Sequence, residues 1–126
     1  MNNCEIYFYV ILLNNEKILI NNQINEIINE FKLMGCQVET SIYDLKINKN
    51  INYDVYVSNM INKVINNLDK EKLNDLKNKY NLDYYLVIKP EININDIKQC
   101  LSLDDNIIEF LYLTKTHLDL DYYLYE

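Results

Sequence analysis

The side chains with the most chemical reach lie close together near the C-terminus: His117, Asp119 and Asp121. A histidine beside a carboxylate is the pairing a general base uses, with the carboxylate orienting the ring. Two aspartates spaced by two fall on one face of a strand. With Asp104, Asp105 or Glu126 they could offer Mg²⁺ or Ca²⁺ the oxygen ligands those ions take, or divide acid and base roles between them. Neither chemistry is completed nearby. No nucleophile is tied to His117, and a single histidine offers few metal options. The plainer readings are a surface histidine stabilised by a helix dipole and a solvated strand face whose charges discourage edge pairing. The sequence therefore predicts no catalytic residue, no metal and no cofactor.

Cys4, Cys36 and Cys100 are odd in number and widely spaced, with no CxxC pair. A zinc ribbon or thioredoxin-like site is unsupported. Thiols need a lowered pKa to react, and buried cysteines usually only pack. The chain has 1 glycine, which excludes the usual phosphate loops and dinucleotide fingerprints.

What remains is a surface. Strand alternation over Leu118–Glu126 puts Leu118, Leu120, Tyr122 and Leu124 on one side, read as core. Asp119, Asp121, Tyr123 and Tyr125 fall on the other. The same split elsewhere collects Tyr7, Tyr9, Glu39, Tyr43, Asp83 and Tyr85 with them as a partner-binding face. Tyrosine suits such a face because it buries large area with few rotors and keeps a polar tip.

The elements positioning these residues read as follows. A strand over Glu5–Leu13 carries Ile6, Phe8, Val10 and Leu12 on one side. Asn14-Asn15 turns it into a short strand, Lys17–Ile20. Asn21 or Asn22 caps a helix with Ile24, Ile27, Ile28 and Phe31, and Gly35 ends it. A strand over Cys36–Tyr43 follows, then a polar loop over Lys46–Asn52 and an ambiguous Ile51–Val57. Met60, Ile61, Val64, Ile65 and Leu68 form a helical stripe. Asp69 caps a second helix with Leu73, Leu76 and Tyr80, ended by Asn81. Leu82–Lys89 is a strand stopped by Pro90, and Ile97–Leu103 another. Asp104 or Asp105 caps a helix carrying Ile107, Ile108, Leu111 and Tyr112, before the last strand. This order predicts one α+β domain over residues 1–126, with helices on one face of a largely antiparallel sheet. An echo between Ile18–Ile28 and Leu101–Leu111 raises the alternative of two ββαβ halves joined by a helical segment.

Composition sets the class of partner. The 126 residues are 49% hydrophobic and 25% charged, so the chain is globular. A chain this size buries roughly two thirds of its unfolded surface. Arg, Ala and Trp are absent while Asn, Ile, Lys and Tyr abound, the signature of AT-rich codons, so part of the tyrosine excess carries no function. A net charge of −7 and a pI near 4.6 argue against nucleic acid and anionic membrane. They favour a basic protein partner. The apolar run Ile6–Leu13 is too short to span a membrane and lacks a basic flank, which points to a cytoplasmic protein with reduced cysteines.

The C-terminal third resembles a bacterial family designated domain-of-unknown-function family 4279. Leu86-Val87-Ile88-x-Pro90, the helix Ile107-Ile108-Glu109-Phe110-Leu111 and the ending Leu118-Asp119-Leu120-Asp121-Tyr122-Tyr123 carry the likeness. The N-terminal part lacks the Pro-Thr segment, with its following glycine, that the family usually carries after the first helix. The resemblance implies a small cytosolic bacterial protein with no catalytic residues. Some members lie near polymorphic toxin genes, which implies an immunity role. The expectation is thus a non-enzymatic protein that neutralises a cognate toxin through its acidic, tyrosine-rich face. A phage- or virus-encoded inhibitor of host defence would share that surface. A small-ligand binder or minor enzyme using Asp119, Asp121 and His117 would need a closed apolar pocket beside them. A homodimer through the tyrosine face is a further alternative.

Overall fold

The computed structural model describes residues 3–14, 17–53, 57–93, 95, 102–121 and 123–125. The N-terminal alternation forms β1 (Asn3–Ile11), the middle strand of the main sheet. Two long strands flank it, both antiparallel to it: β5 (Asp44–Tyr53) and β6 (Asp83–Asn93). The short β4 (Val38–Thr40) pairs antiparallel with β5. On the far side, β7 (His117–Leu120) and β8 (Tyr123–Tyr125) both pair parallel with β6. The order is β4-β5-β1-β6-β7, with β8 beside β6. A separate two-stranded hairpin, β2 (Leu13–Asn14) and β3 (Lys17–Ile18), follows β1.

Helix α1 (Asn21–Leu33) leads into β4, while α2 (Val57–Ile65) and α3 (Lys70–Tyr80) cross from β5 to β6. Helix α4 (Asp105–Thr114) crosses from β6 to β7. With the small hairpin set aside, β1 to β6 trace a βαββαβ path whose strands interleave in the ferredoxin-like manner. The α4–β7 step extends that unit. The molecule is therefore α+β, and the alternative of two ββαβ halves turns on the segment before α4. The second half would need a strand before α4. Residues 102–104 are coil, and most of Ile97–Leu103 lies outside the described residues.

One core lies between sheet and helices. Ile6, Phe8 and Val10 of β1 meet Ile27 and Phe31 of α1, Met60, Ile61 and Val64 of α2, Leu73 of α3, and Ile107 and Phe110 of α4. The Phe8 ring sits 5.0 Å from Tyr84, 5.9 Å from Phe110 and 6.4 Å from Phe31, separations at which tilted aromatic pairs attract. Tyr84 is fully buried, and its hydroxyl donates to the Leu73 carbonyl at 2.7 Å.

Local signals set most helix ends. Asp69 accepts from the Lys72 N–H and Asp104 from the Ile107 N–H, each satisfying an orphan donor. Asn81 takes a left-handed conformation at the end of α3. Gly35, at φ 88°, closes α1 in a Schellman motif, with its N–H to Lys32 and the Cys36 N–H to Phe31. The start of α1 differs from expectation. Neither Asn21 nor Asn22 caps it; Ile20 is the cap residue, and its N–H is held by the Gln23 side chain at 3.1 Å.

Four segments depart further from the sequence pattern. The stretch Lys46–Asn52, expected as a loop, belongs to β5. Among the side chains described in that strand, only Leu45 and Ile47 are fully buried, so most of it carries no apolar signal. Pro90 does not end β6, which runs on to Asn93. Ile88 turns its carbonyl toward β7, accepting from the Asp121 N–H at 2.9 Å. Pro90, two residues on, presents its nitrogen to the same edge, where it has no hydrogen to give. The pairing breaks there: β7 ends opposite Ile88 and β8 begins opposite Glu91. The last strand is accordingly two short strands. Ile108 and Tyr112 of α4, expected on its buried stripe, are 51% and 80% exposed, while Phe110 takes a core position.

Asn48 explains how β5 stays paired. The register to β1 shifts between Ile6 and Phe8, and Asn48 has φ 54°. This is a β-bulge whose extra residue sits in the left-handed region, where Asn is tolerated better than most residues. Its side chain donates to Val64 O at 2.9 Å and Asn67 Oδ1 at 2.7 Å and accepts from the Gln37 N–H at 3.0 Å. Asn48→Gly keeps the backbone and loses those bonds, an expected loss of about 1–3 kcal/mol. Asn48→Val adds about 1–2 kcal/mol of left-handed strain. Urea unfolding of the two variants checks this; equal midpoints would show that the bulge backbone is not the constraint.

Candidate binding face

Alternation on β1 sends Glu5, Tyr7, Tyr9 and Ile11 to the side opposite the helices. Register then carries that side across the sheet. Glu39 of β4 lies opposite Lys46, Lys46 opposite Tyr9, Tyr9 opposite Tyr85, and Tyr85 opposite His117. A second row runs from Tyr7 through Val87 to Asp119, and a third joins Ile51, Glu5 and Lys89. Asp44, Ile11 and Asp83 form another. At the far end Tyr123 lies opposite Glu91 and is 64% exposed.

Of the residues predicted for the face, Tyr7, Tyr9, Glu39, Asp83, Tyr85, Asp119 and Tyr123 share this side by register. Tyr43 does not. It is in the turn before β5, 57% exposed, with its carbonyl accepting from the Leu12 N–H. Asp121 lies just past the end of β7 and is exposed. Tyr125 closes β8 opposite Asn93. Two residues expected as core are surface: Leu118 is 39% and Leu124 61% exposed. Alternation gave their side of the strand, but β7 and β8 lie at the sheet edge, where the helices give little cover.

Tyr7 is on the face yet only 4% exposed. Lys46 Nζ lies 4.9 Å and Lys89 Nζ 5.6 Å from its ring centroid, and Tyr9 packs edge-on at 5.9 Å. Two ammonium groups over one ring gain cation–π attraction while their stems shield it. A hydrogen bond with Tyr7 and nearby carboxylates, Asp121 among them, push the Lys89 pKa up. Tyr9 donates to Asp44 Oδ2 at 2.6 Å; partial burial and that carboxylate push its pKa up to about 12. Sequence reasoning missed these lysines. Lys89 was readable from its parity with Asp83 and Tyr85; Lys46 was hidden in the supposed loop.

The face has two electrostatic halves. Toward β4, charges are paired: Lys49 reaches Glu5 and Glu39, both at 3.7 Å, and Ser41 donates to Asp44 at 2.7 Å. A groove of about 510 Å³ there is lined by Gln37, Val38, Glu39, Lys46, Lys49 and Ile51. Toward β7 and β8 lie Asp83, Glu91, Asp119 and Asp121, none of which makes an ion pair among the described residues.

Among the described residues the catalytic options of this region are not assembled into a site. His117 packs its ring 5.1 Å from that of Tyr85, and no hydrogen bond joins it to Asp119. Among the described residues no group of three His, Cys, Asp or Glu side chains is placed to hold a metal. Cys4 and Cys36 are buried free thiols, and burial pushes the Cys4 pKa up to about 11; Cys100 lies outside the described residues. No described helix is long and apolar enough to cross a membrane.

The chain matches no protein-family model, no curated protein and no solved structure. The segments that carry the family resemblance fall on β6, α4 and the β7–β8 edge.

Two raised pKa values predict alkaline behaviour. Cys4 and Tyr9 are neutral in the fold at pH values where the unfolded groups, with ordinary pKa values of 9.0 and 10.0, ionise. Their contribution is complete below about pH 9 and lost as pH rises through about 11 for Cys4 and about 12 for Tyr9. Urea midpoints should therefore fall above pH 9, and less steeply in Cys4→Ala. A midpoint unchanged from pH 9 to 11 would contradict the burial of Cys4.

Proposed function

We propose that this protein is a non-enzymatic binding module whose open sheet face engages a basic protein. The specific reading is a cytoplasmic immunity protein that covers the active site of a cognate bacterial toxin. The observation carrying it is the uncovered face itself: tyrosines in register across the sheet, bordered by the carboxylates Asp83, Glu91, Asp119 and Asp121. Exposed unpaired charges raise association rates with an oppositely charged partner, and Tyr9, Tyr85 and Tyr123 supply apolar area with polar tips. The net charge of −7 gives the whole chain the same sign. The resemblance of the C-terminal third to family 4279, some of whose members lie near toxin genes, points the same way.

Co-expression with the product of the adjacent gene tests the reading. Relief of toxicity together with a stable complex is the expected result; persistent toxicity with no complex would end it. An adjacent gene of phage defence-inhibitor type would redirect the partner to a host defence protein. Within the complex, Asp119→Lys with Asp121→Lys should slow association about tenfold at low salt. That difference should shrink at high salt as screening grows. Stopped-flow measurement at two ionic strengths reads both effects.

A further inference from the structure

β7 and β8 form one border of the main sheet, and among the described residues no strand takes up the outer edge of β7. The Asp121 N–H points inward, to the Ile88 carbonyl at 2.9 Å. Alternate residues of a strand aim their backbone groups at opposite edges. Asp119 therefore shares the inward direction, while Leu118 and Leu120 turn their N–H and C=O groups outward. No described strand pairs with β7 on that side. The side chains divide as sharply. On the helix side stand Leu118, 39% exposed, and the half-buried Leu120, with Leu124 of β8, 61% exposed, beyond them. On the open side stand the exposed Asp119 and Asp121, without ion pairs among the described residues.

We infer that this edge is a strand-addition site for an extended segment of the partner in which apolar residues alternate with Lys or Arg. This deepens the reading of the face as a partner-binding surface and rests on it. Main-chain hydrogen bonds to Leu118 and Leu120 supply affinity, and alternate side chains supply selectivity. The apolar residues of the segment meet Leu118 and Leu120, and its cations meet Asp119 and Asp121. A second copy of the same edge is a poor occupant, because pairing β7 with itself would bring carboxylates against carboxylates. Unprotected edges invite indiscriminate pairing; here the aspartates reject acidic and self-like strands and admit basic ones.

The test uses the full chain and a short synthetic peptide of alternating valine and lysine, with a valine–glutamate peptide as control. Amide exchange by NMR should show Leu118 and Leu120 unprotected in the free protein and protected with the lysine peptide, while Asp119 and Asp121 change little. The glutamate peptide should leave all four unchanged. Leu118→Pro removes an outward N–H at a place where an edge strand tolerates proline, and it should weaken peptide binding at least about tenfold at an unchanged urea midpoint. If that variant unfolds, Asp119→Lys with Asp121→Lys carries the same comparison. Unchanged exchange at Leu118 and Leu120 under saturating peptide, or equal binding of the two peptides, overturns the inference. A folded Leu118→Pro chain that still holds its toxin with wild-type affinity also overturns the edge mode but leaves the partner-binding reading standing. Peptide docking at the edge with no basic partner in co-expression supports the edge and sinks that reading instead.

Discussion

Phe8 and Tyr7 are neighbours on the middle strand, and the difference between their surroundings organises the molecule. Phe8 points into the helices, where Tyr84, Phe110 and Phe31 close around it. Tyr7 points the other way and is covered by the ammonium groups and stems of Lys46 and Lys89. Both rings are buried, but by different means. Burial beside Phe8 brings α1, α3 and α4 into one apolar cluster, with a hydrophobic contribution growing by about 25 cal/mol for each Å² removed from water. Tyr7 is buried by those lysine side chains and the edge of Tyr9, and Val87 beside it is buried too, while Asp83, Glu91, Asp119 and Tyr123 on that face are exposed.

The one-sided cover follows from topology. The described helices bury their apolar stripes in the same core, so the opposite face of β1, β5 and β6 meets none of them. Antiparallel sheets tolerate this arrangement, with one face packed and one solvated. The paired charges near β4 and the carboxylates near β7, without ion pairs among the described residues, then give the open face a direction. Lys77 supports the acidic side from behind the sheet. Its ammonium donates to the carbonyls of Thr114 and Lys115 at 3.0 and 2.9 Å, a cation at the negative end of α4, just before the chain turns into β7.

Local signals made much of the fold legible in the sequence. Asp69, Asp104, Asn81 and Gly35 act through the next few backbone groups, so their roles could be read in isolation. The stripe Met60–Leu68 and the row Ile6–Val10 needed only periodicity. β5 was illegible because its pairing depends on partners far along the chain: Asn48 bonds to Gln37, Val64 and Asn67, and only two of its described side chains enter the core completely. The site followed the same logic. Parity placed Tyr9, Tyr85 and Asp119 on one side correctly. It could not reveal that Tyr7 would be roofed by lysines, or that Leu118 and Leu124 would lack a helix above them, because parity fixes direction and not cover.

The open face is acidic along β6, β7 and β8 and nearly balanced toward β4. Paramagnetic relaxation of backbone amides by a cationic and by an anionic nitroxide probe measures that distribution directly in the free protein. The cationic probe should relax the amides of Asp83, Asp119, Asp121 and Tyr123 more strongly than the anionic probe, while Glu39 and Lys46 respond alike to both. Equal effects along β7 and β8, or a cationic preference concentrated on the helices, would contradict it.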